Sequence, residues 1–292
     1  MTALIESAAL NQMLDQPSGG LRVVDATWFM PNDGRNGRME FVKAHIPLAV
    51  YFDLDKVSDQ NTELPHMLPK ASEFHAEMQR LGIEPKDKII CYDAHGLMSA
   101  ARFWWMLRGF GYPHALVLNG GLPKWRQEGR PLVPGESVKA QSPAPDKNDL
   151  SDKFNENLVR SQQQILQILP QIGKSAQVLD ARPHDRFIGA APEPRPGLLR
   201  GHIPGAKNLP YVDILAADKT VLPPAQLKEK FQHAKIDPSR PVITTCGSGV
   251  TAAVLALGLY ELGNENVAIY DGSWAEWGKD RGPDSLPHET AV

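Results

Sequence analysis

The sequence is poor in cysteine. Only Cys91 and Cys246 occur among 292 residues, too few for a disulfide framework or a thiolate metal cluster, so a reducing cytoplasm is the expected setting. Excess charge is also lacking: 31 basic and 34 acidic residues leave a formal net charge of -3, which gives no overall basic field for nucleic acid or an anionic membrane. No apolar run is long enough to cross a bilayer. The N-terminal MTALIESAALNQMLDQPSGG has no basic start followed by an apolar core, so it does not read as a secretory signal. HExxH, P-loop and GxGxxG patterns are missing, and with them any sequence support for a resident metal or nucleotide. What remains is an ordinary globular composition, 42% hydrophobic and 22% charged, sufficient for sizeable cores and, at this length, for two domains.

The chain repeats itself. VVDATW (23–28) returns as VLDARP (178–183), AHIPLAVYFDL (44–54) as GHIPGAKNLPY (201–211), and NGGLPKW (119–125) as DGSWAEW (271–277), at an offset of about 155 residues. So long a period indicates a duplicated domain rather than a solenoid. In each half, short apolar runs (LRVVDA, AVYFDL, KIICYD, ALVLNG; then AQVLDA, AKNLPY, VITTC, VAIYDG) alternate with helical patterns such as 68–82 and 222–235. In these two patterns Phe74, Met78 and Leu81, and Leu227, Phe231 and Ala234, fall on one face. The pattern predicts two tandem α/β domains, each a mostly parallel sheet with helices on both faces. Their expected limits are residues 1–133 and 153–292, joined by a Pro-, Ser- and charge-rich linker over 134–152.

Cys246 ends the run VITTC and leads through GSGVT into the helical AVLALGLYEL. A thiol where a strand gives way to a helix meets the positive end of the helix dipole. Gly247 and Gly249 allow backbone N–H groups to turn inward as an anion cradle. Both effects favour thiolate, the nucleophilic form. The bland alternative is a small buried hydrophobe, which is how Cys91, inside KIICYD, is read. Aligning the halves sets Asp93 opposite Cys246, so the first half cannot perform the same covalent chemistry and is expected to support the second.

With the Cys246 loop CGSGVTA, HIPG (202–205), the paired DA motifs, HMLP (66–69), EPRPG (193–197) and YDGSWAEW (270–277), nearly the whole chain resembles the rhodanese superfamily, specifically its two-domain 3-mercaptopyruvate sulfurtransferases. That resemblance implies an enzyme that carries sulfur as a Cys246 persulfide, needs no organic cofactor, and passes sulfur to a thiol, a protein thiol such as thioredoxin, or cyanide. Backbone N–H groups from Gly247 through Ser248, Gly249 and Val250 to Thr251 would stabilise the persulfide anion. Relatives that use thiosulfate carry basic residues directly after the cysteine; here Gly247 and Ser248 are neutral, which suits a donor with a single carboxylate. The resemblance also implies that Arg186 and Arg195 grip that carboxylate and its neighbouring carbonyl, as the planar guanidinium allows. Two solvated loop arginines are the alternative. Arg182 lies near the same strand end.

Ser248 is expected to orient or relay the proton of the donor thiol. The resemblance further implies a first-domain histidine against that serine, with His45 in the matching position, and an acidic partner between Trp28 and His45, where Asp33, Asn36 and Glu40 stand. His202, the second-half counterpart of His45, reads as structural. Trp274 and Trp277 either wall the pocket or belong to the core. The rivals are thiosulfate:cyanide sulfurtransferase, a persulfide carrier or binding module, and a cysteine phosphatase. The last needs an arginine six residues after the cysteine, where this chain has Ala252.

Overall fold

The computed structural model describes residues 2–16, 19–136 and 154–291. Most of the expected linker, from 137 onward, therefore lies outside the described residues. The first half contains β1 (Leu4–Ile5), α1 (Ser7–Asp15), β2 (Leu21–Asp25), α2 (Gly37–Lys43), β3 (Ala49–Tyr51), α3 (Leu54–Val57), α4 (Ala71–Arg80), β4 (Lys88–Tyr92), α5 (Ser99–Gly109), β5 (Ala115–Leu118) and α6 (Gly121–Gln127). The second contains β6 (Val159–Arg160), α7 (Gln162–Ile168), β7 (Val178–Asp180), α8 (His184–Phe187), β8 (Lys207–Asn208), α9 (Pro224–His233), β9 (Val242–Thr245), α10 (Ala252–Glu261), β10 (Val267–Tyr270) and α11 (Ser273–Trp277).

Each half forms its own five-stranded sheet, in the orders β1-β5-β4-β2-β3 and β6-β10-β9-β7-β8, with parallel pairing throughout. All eight anticipated strands form. The two missed ones, β1 and β6, are two-residue edge strands beside β5 and β10, too short to show a hydrophobic period. Alternate residues of one strand enter different cores. Val24, Ile89, Cys91 and Val117 pack on one side of the first sheet, and Val23, Ile90, Tyr92 and Leu118 on the other. This two-sided burial is why the strands read as continuous apolar runs.

One of these cores is shared. α5 and α10 are apolar almost all round and buried along most of their length, as expected of helices enclosed between sheets, and they pack in one cluster that joins the two halves. Trp104 on α5 meets Tyr260 on α10 edge to face, with the guanidinium of Arg108 against both rings. Gly109 leaves the space that Phe154 fills: a Cβ there would lie 1.9 Å from its ring.

The halves also exchange loops. The segment between α3 and α4 crosses to the Cys246 loop. Its counterpart between β8 and α9 crosses to the first half, where Lys219 packs beside Gly96 of the Asp93 loop, the Val221 amide donates to Asn119 Oδ1 just after β5 at 2.9 Å, and Asp218 pairs with Lys124 on α6 at 3.0 Å. The Cys246 loop and the Asp93 loop are thus each contacted by a segment of the other half.

Candidate active site

Asp93 and Cys246 each directly follow the central strand of their sheet, β4 and β9. In the first half the fully buried Asp93 carboxylate accepts four backbone N–H bonds, from His95, Gly96, Met98 and Ala100, at 2.7–2.9 Å. This duplicated loop is therefore an anion cradle by construction. In the second half, among the described residues, the amides of Gly247 to Thr251 donate to no protein acceptor. They remain available to an anion carried on Cys246.

The cradle is rigidly backed. The Cys246 amide donates to Ser273 Oγ at 3.2 Å, and the carbonyls of Cys246 and Gly247 accept from Trp274 and Ala275 at 2.9 Å. Gly249 sits at φ 75, where a Cβ would lie 2.9 Å from both Arg102 Nη1 and the Asp271 carbonyl. Only glycine fits there without strain.

A pocket of about 310 Å³ opens over this loop, and Cys246, Gly247, Ser248, Val250, Thr251, Arg182, Arg186 and Arg195 all line it. Trp28, Met30 and Met98 from the first half close its other side. The pocket therefore exists only between the two halves. Cys246 itself is buried, 2% exposed. Arg195 is half-buried, which lowers its pKa, while the charge of a Cys246 thiolate acts in the opposite direction. Arg186 rests against the cradle: a Cβ on Gly247 would be 3.2 Å from its Nη2.

The histidine against the serine is His66, not His45. Its Nδ1 lies 3.0 Å from Ser248 Oγ and its Nε2 lies 3.1 Å from Asp55 Oδ1. The Asp55 carboxylate in turn accepts from the Trp28 indole at 3.0 Å through both oxygens. A carboxylate only accepts, so Nε2 carries the proton and Nδ1 is left to accept from the serine hydroxyl. Burial lowers the His66 pKa, against the opposing pull of Asp55, which keeps the ring neutral near pH 7. Partial burial raises the Asp55 pKa, but its bonds and charge interaction with His66 and its bond from Trp28 outweigh this, and the net shift is downward. The His66 backbone is left-handed at φ 62, a conformation unusual outside glycine, and its carbonyl accepts from the fully buried Arg102 at 2.5 Å.

His45 serves the fold. Its Nδ1 bonds the Phe41 carbonyl at 2.8 Å and its ring stacks on Phe41 at 3.9 Å. His202 repeats this against Phe187, at 2.8 Å and 3.8 Å. A contact present in both halves belongs to the duplicated fold, which is why the AHIP and GHIP motifs recur. The acidic candidates are also engaged elsewhere. Asn36 caps α2, Glu40 pairs with Arg35, and Asp33 accepts from the Met30 amide. Trp274 and Trp277 are core, and neither lines the pocket. Trp274 backs the Arg182 guanidinium at 4.5 Å.

The sequence reading missed His66, Asp55, Trp28 and Glu193. His66 opens HMLP, a motif noticed but given no role. Its signal was weak because the serine it serves is 182 positions away.

Two parallel α/β domains, with a thiol at the strand-to-helix loop of the second and a carboxylate in its place in the first, define a duplicated α/β fold with unlike halves. The chain belongs to the rhodanese-like domain family, whose profile matches residues 8–128 and 161–280. It is 42% identical over 272 residues to thiosulfate/3-mercaptopyruvate sulfurtransferase 1, mitochondrial, of Arabidopsis thaliana, covering 88% of this chain and 71% of that one. It is 40% identical over 279 residues to the Homo sapiens 3-mercaptopyruvate sulfurtransferase, covering 94% and 91%. Among solved structures, SseA from Escherichia coli, described under the rhodanese fold and catalytic mechanism of 3-mercaptopyruvate sulfotransferases, superposes with a TM-score of 0.82 at 35% identity, over 94% of this chain and all of that one. Among the described residues no helix is long and apolar enough to cross a membrane.

Proposed function

We propose that this chain is a 3-mercaptopyruvate sulfurtransferase that carries sulfur on Cys246. The observation that carries this reading is the convergence of Cys246, its neutral glycine-serine loop, Arg186 and Arg195 on one pocket. The names of its relatives support the donor. Arg186 and Arg195 orient the donor's carboxylate and carbonyl, which sets its sulfur against Cys246. The thiolate attacks that sulfur. As the new S–S bond forms, the S–C bond breaks and its electron pair leaves on carbon as the pyruvate enolate.

The donor's thiol proton passes by way of Ser248 and His66 to the enolate carbon, giving pyruvate and an anionic persulfide. Asp55 holds the His66 ring in the tautomer that can accept. The amides of Gly247 to Thr251 stabilise the persulfide charge, as an oxyanion hole would. A thiol, a protein thiol such as thioredoxin, or cyanide then attacks the outer sulfur and restores the Cys246 thiolate. Kinetics are double-displacement. Both cysteines are free thiols, which suits a reducing compartment such as the cytoplasm.

The Arabidopsis relative is named for both donors, so thiosulfate is the second reading. Rates with 3-mercaptopyruvate and thiosulfate, each against cyanide and a thiol, decide between them. Mass spectrometry after exposure to 3-mercaptopyruvate is expected to find one added sulfur atom on Cys246 and none in Cys246→Ser. Turnover by that variant near the parent's rate would refute the persulfide.

A further inference from the structure

Arg186 does not enter the pocket as a free charge. Its guanidinium is held by Glu193, with Nη2 against Oε2 and Nε 3.2 Å from Oε1. The same carboxylate takes Arg182 Nη1 at 2.8 Å, and Asp180 takes Arg182 Nη2 at 2.6 Å. The Glu193 side chain is only 2% exposed. Pro192, Pro194 and Pro196 stiffen the segment that carries it. Two arginines and two carboxylates thus form a charge-balanced cluster whose arginines line the pocket. Among the described residues Arg195 has no carboxylate within ion-pair distance; Asp55, which acts on it through its charge, is already engaged by His66 and Trp28. The pocket is therefore lined by three guanidinium groups, and with Arg182 and Arg186 balanced by Asp180 and Glu193, only Arg195 brings a positive charge that no carboxylate pairs.

We propose that Glu193 is a specificity-determining residue that fixes Arg186 over the Cys246 loop and cancels its charge, matching the pocket to a donor with one negative charge. This rests on the donor reading above and adds a cause for it. Neutral Gly247 and Ser248 leave the loop without cations, and Glu193 removes one more. A doubly charged donor must then enter with one charge unpaired in a largely buried site.

The test compares Glu193→Gln, which keeps size and hydrogen-bonding capacity, with Glu193→Asp, which keeps the charge but shortens the reach. Steady-state kinetics with 3-mercaptopyruvate and thiosulfate, against cyanide, are run on both variants and the parent, each checked for a cooperative thermal transition. In Glu193→Gln the ratio of kcat/KM for thiosulfate to that for 3-mercaptopyruvate rises by about tenfold or more, mainly through the KM for thiosulfate. In Glu193→Asp both donors lose efficiency together and the ratio holds. Sulfate also protects Cys246 from alkylation at lower concentration in Glu193→Gln, while protection by acetate is unchanged. An equal change for both donors in Glu193→Gln, or unchanged sulfate protection, overturns the proposal and leaves Glu193 as a structural support. A parent enzyme that already prefers thiosulfate overturns the donor reading instead, and the shift between parent and variant still reads the effect of Glu193.

Discussion

At the residue scale the site divides into groups that bear charge and groups that hold them. Cys246 needs an anion cradle, and Asp93 demonstrates one in the same loop of the other half, its carboxylate bound by four amides. Ser248, His66 and Asp55 form a hydrogen-bonded chain, the proton path of the proposed reaction, whose parts differ in exposure: the His66 side chain is 2% exposed and that of Asp55 65%. Replacing His66 by Ala is expected to lower kcat with 3-mercaptopyruvate by about a hundredfold, while alkylation of Cys246 by iodoacetamide continues, because the cradle is untouched. Asp55→Asn is expected to cost roughly tenfold, since solvent screens that carboxylate. Single-turnover pyruvate release measures both. Cys246 and its loop were legible from local sequence, because strand, glycine loop and helix are contiguous, whereas Arg186 and Arg195 came only from the family resemblance. His66 was not, because its partner lies in the other domain.

At the scale of elements, each DA motif closes a strand with a buried carboxylate. Asp25 ends β2, accepts from the Thr27 amide at 2.9 Å and is bonded by the Thr27 hydroxyl; Asp180 ends β7 and accepts from the Arg182 amide at 2.9 Å. Only the second has an arginine beside it. Burial, opposed in part by Thr27, raises the Asp25 pKa to about 6 from 3.8. A raised pKa means the folded state favours the protonated form. The resulting stability is complete below pH 3.8 and is lost as pH rises through about 6. Asp25→Asn avoids the buried charge. Its stability relative to the parent is therefore expected to improve by about 2 kcal/mol between pH 4 and pH 8, measured by urea denaturation at both pH values. His66 acts in the opposite direction in both proteins, since its lowered pKa costs stability as pH falls below 6.5, and it cancels in the difference.

At the scale of the molecule, the two halves make one enzyme because the pocket lies between them. Arg102, on α5 of the first half and fully buried, pairs with Asp271 of the second at 2.6 Å and donates to the carbonyls of His66 and Gly249. Asp271 in return accepts from the Leu68 amide at 2.8 Å. Arg102→Leu leaves Asp271 buried without its cation and is expected to cost about 3–5 kcal/mol in chemical denaturation. It also frees the carbonyl that fixes His66, so kcat at 25 °C falls even where the variant remains folded.

The chain by itself determined the duplicated α/β architecture, the cysteine where a strand gives way to a helix and the neutral loop beside it, because each is written in contiguous residues whose periodicity or backbone freedom acts locally. Tertiary structure alone decided which histidine reaches Ser248, which carboxylate orients it, and that Glu193 offsets Arg186. Those pairings depend on loops exchanged between domains and on which charges share a buried space, and neither leaves a regular spacing along the sequence.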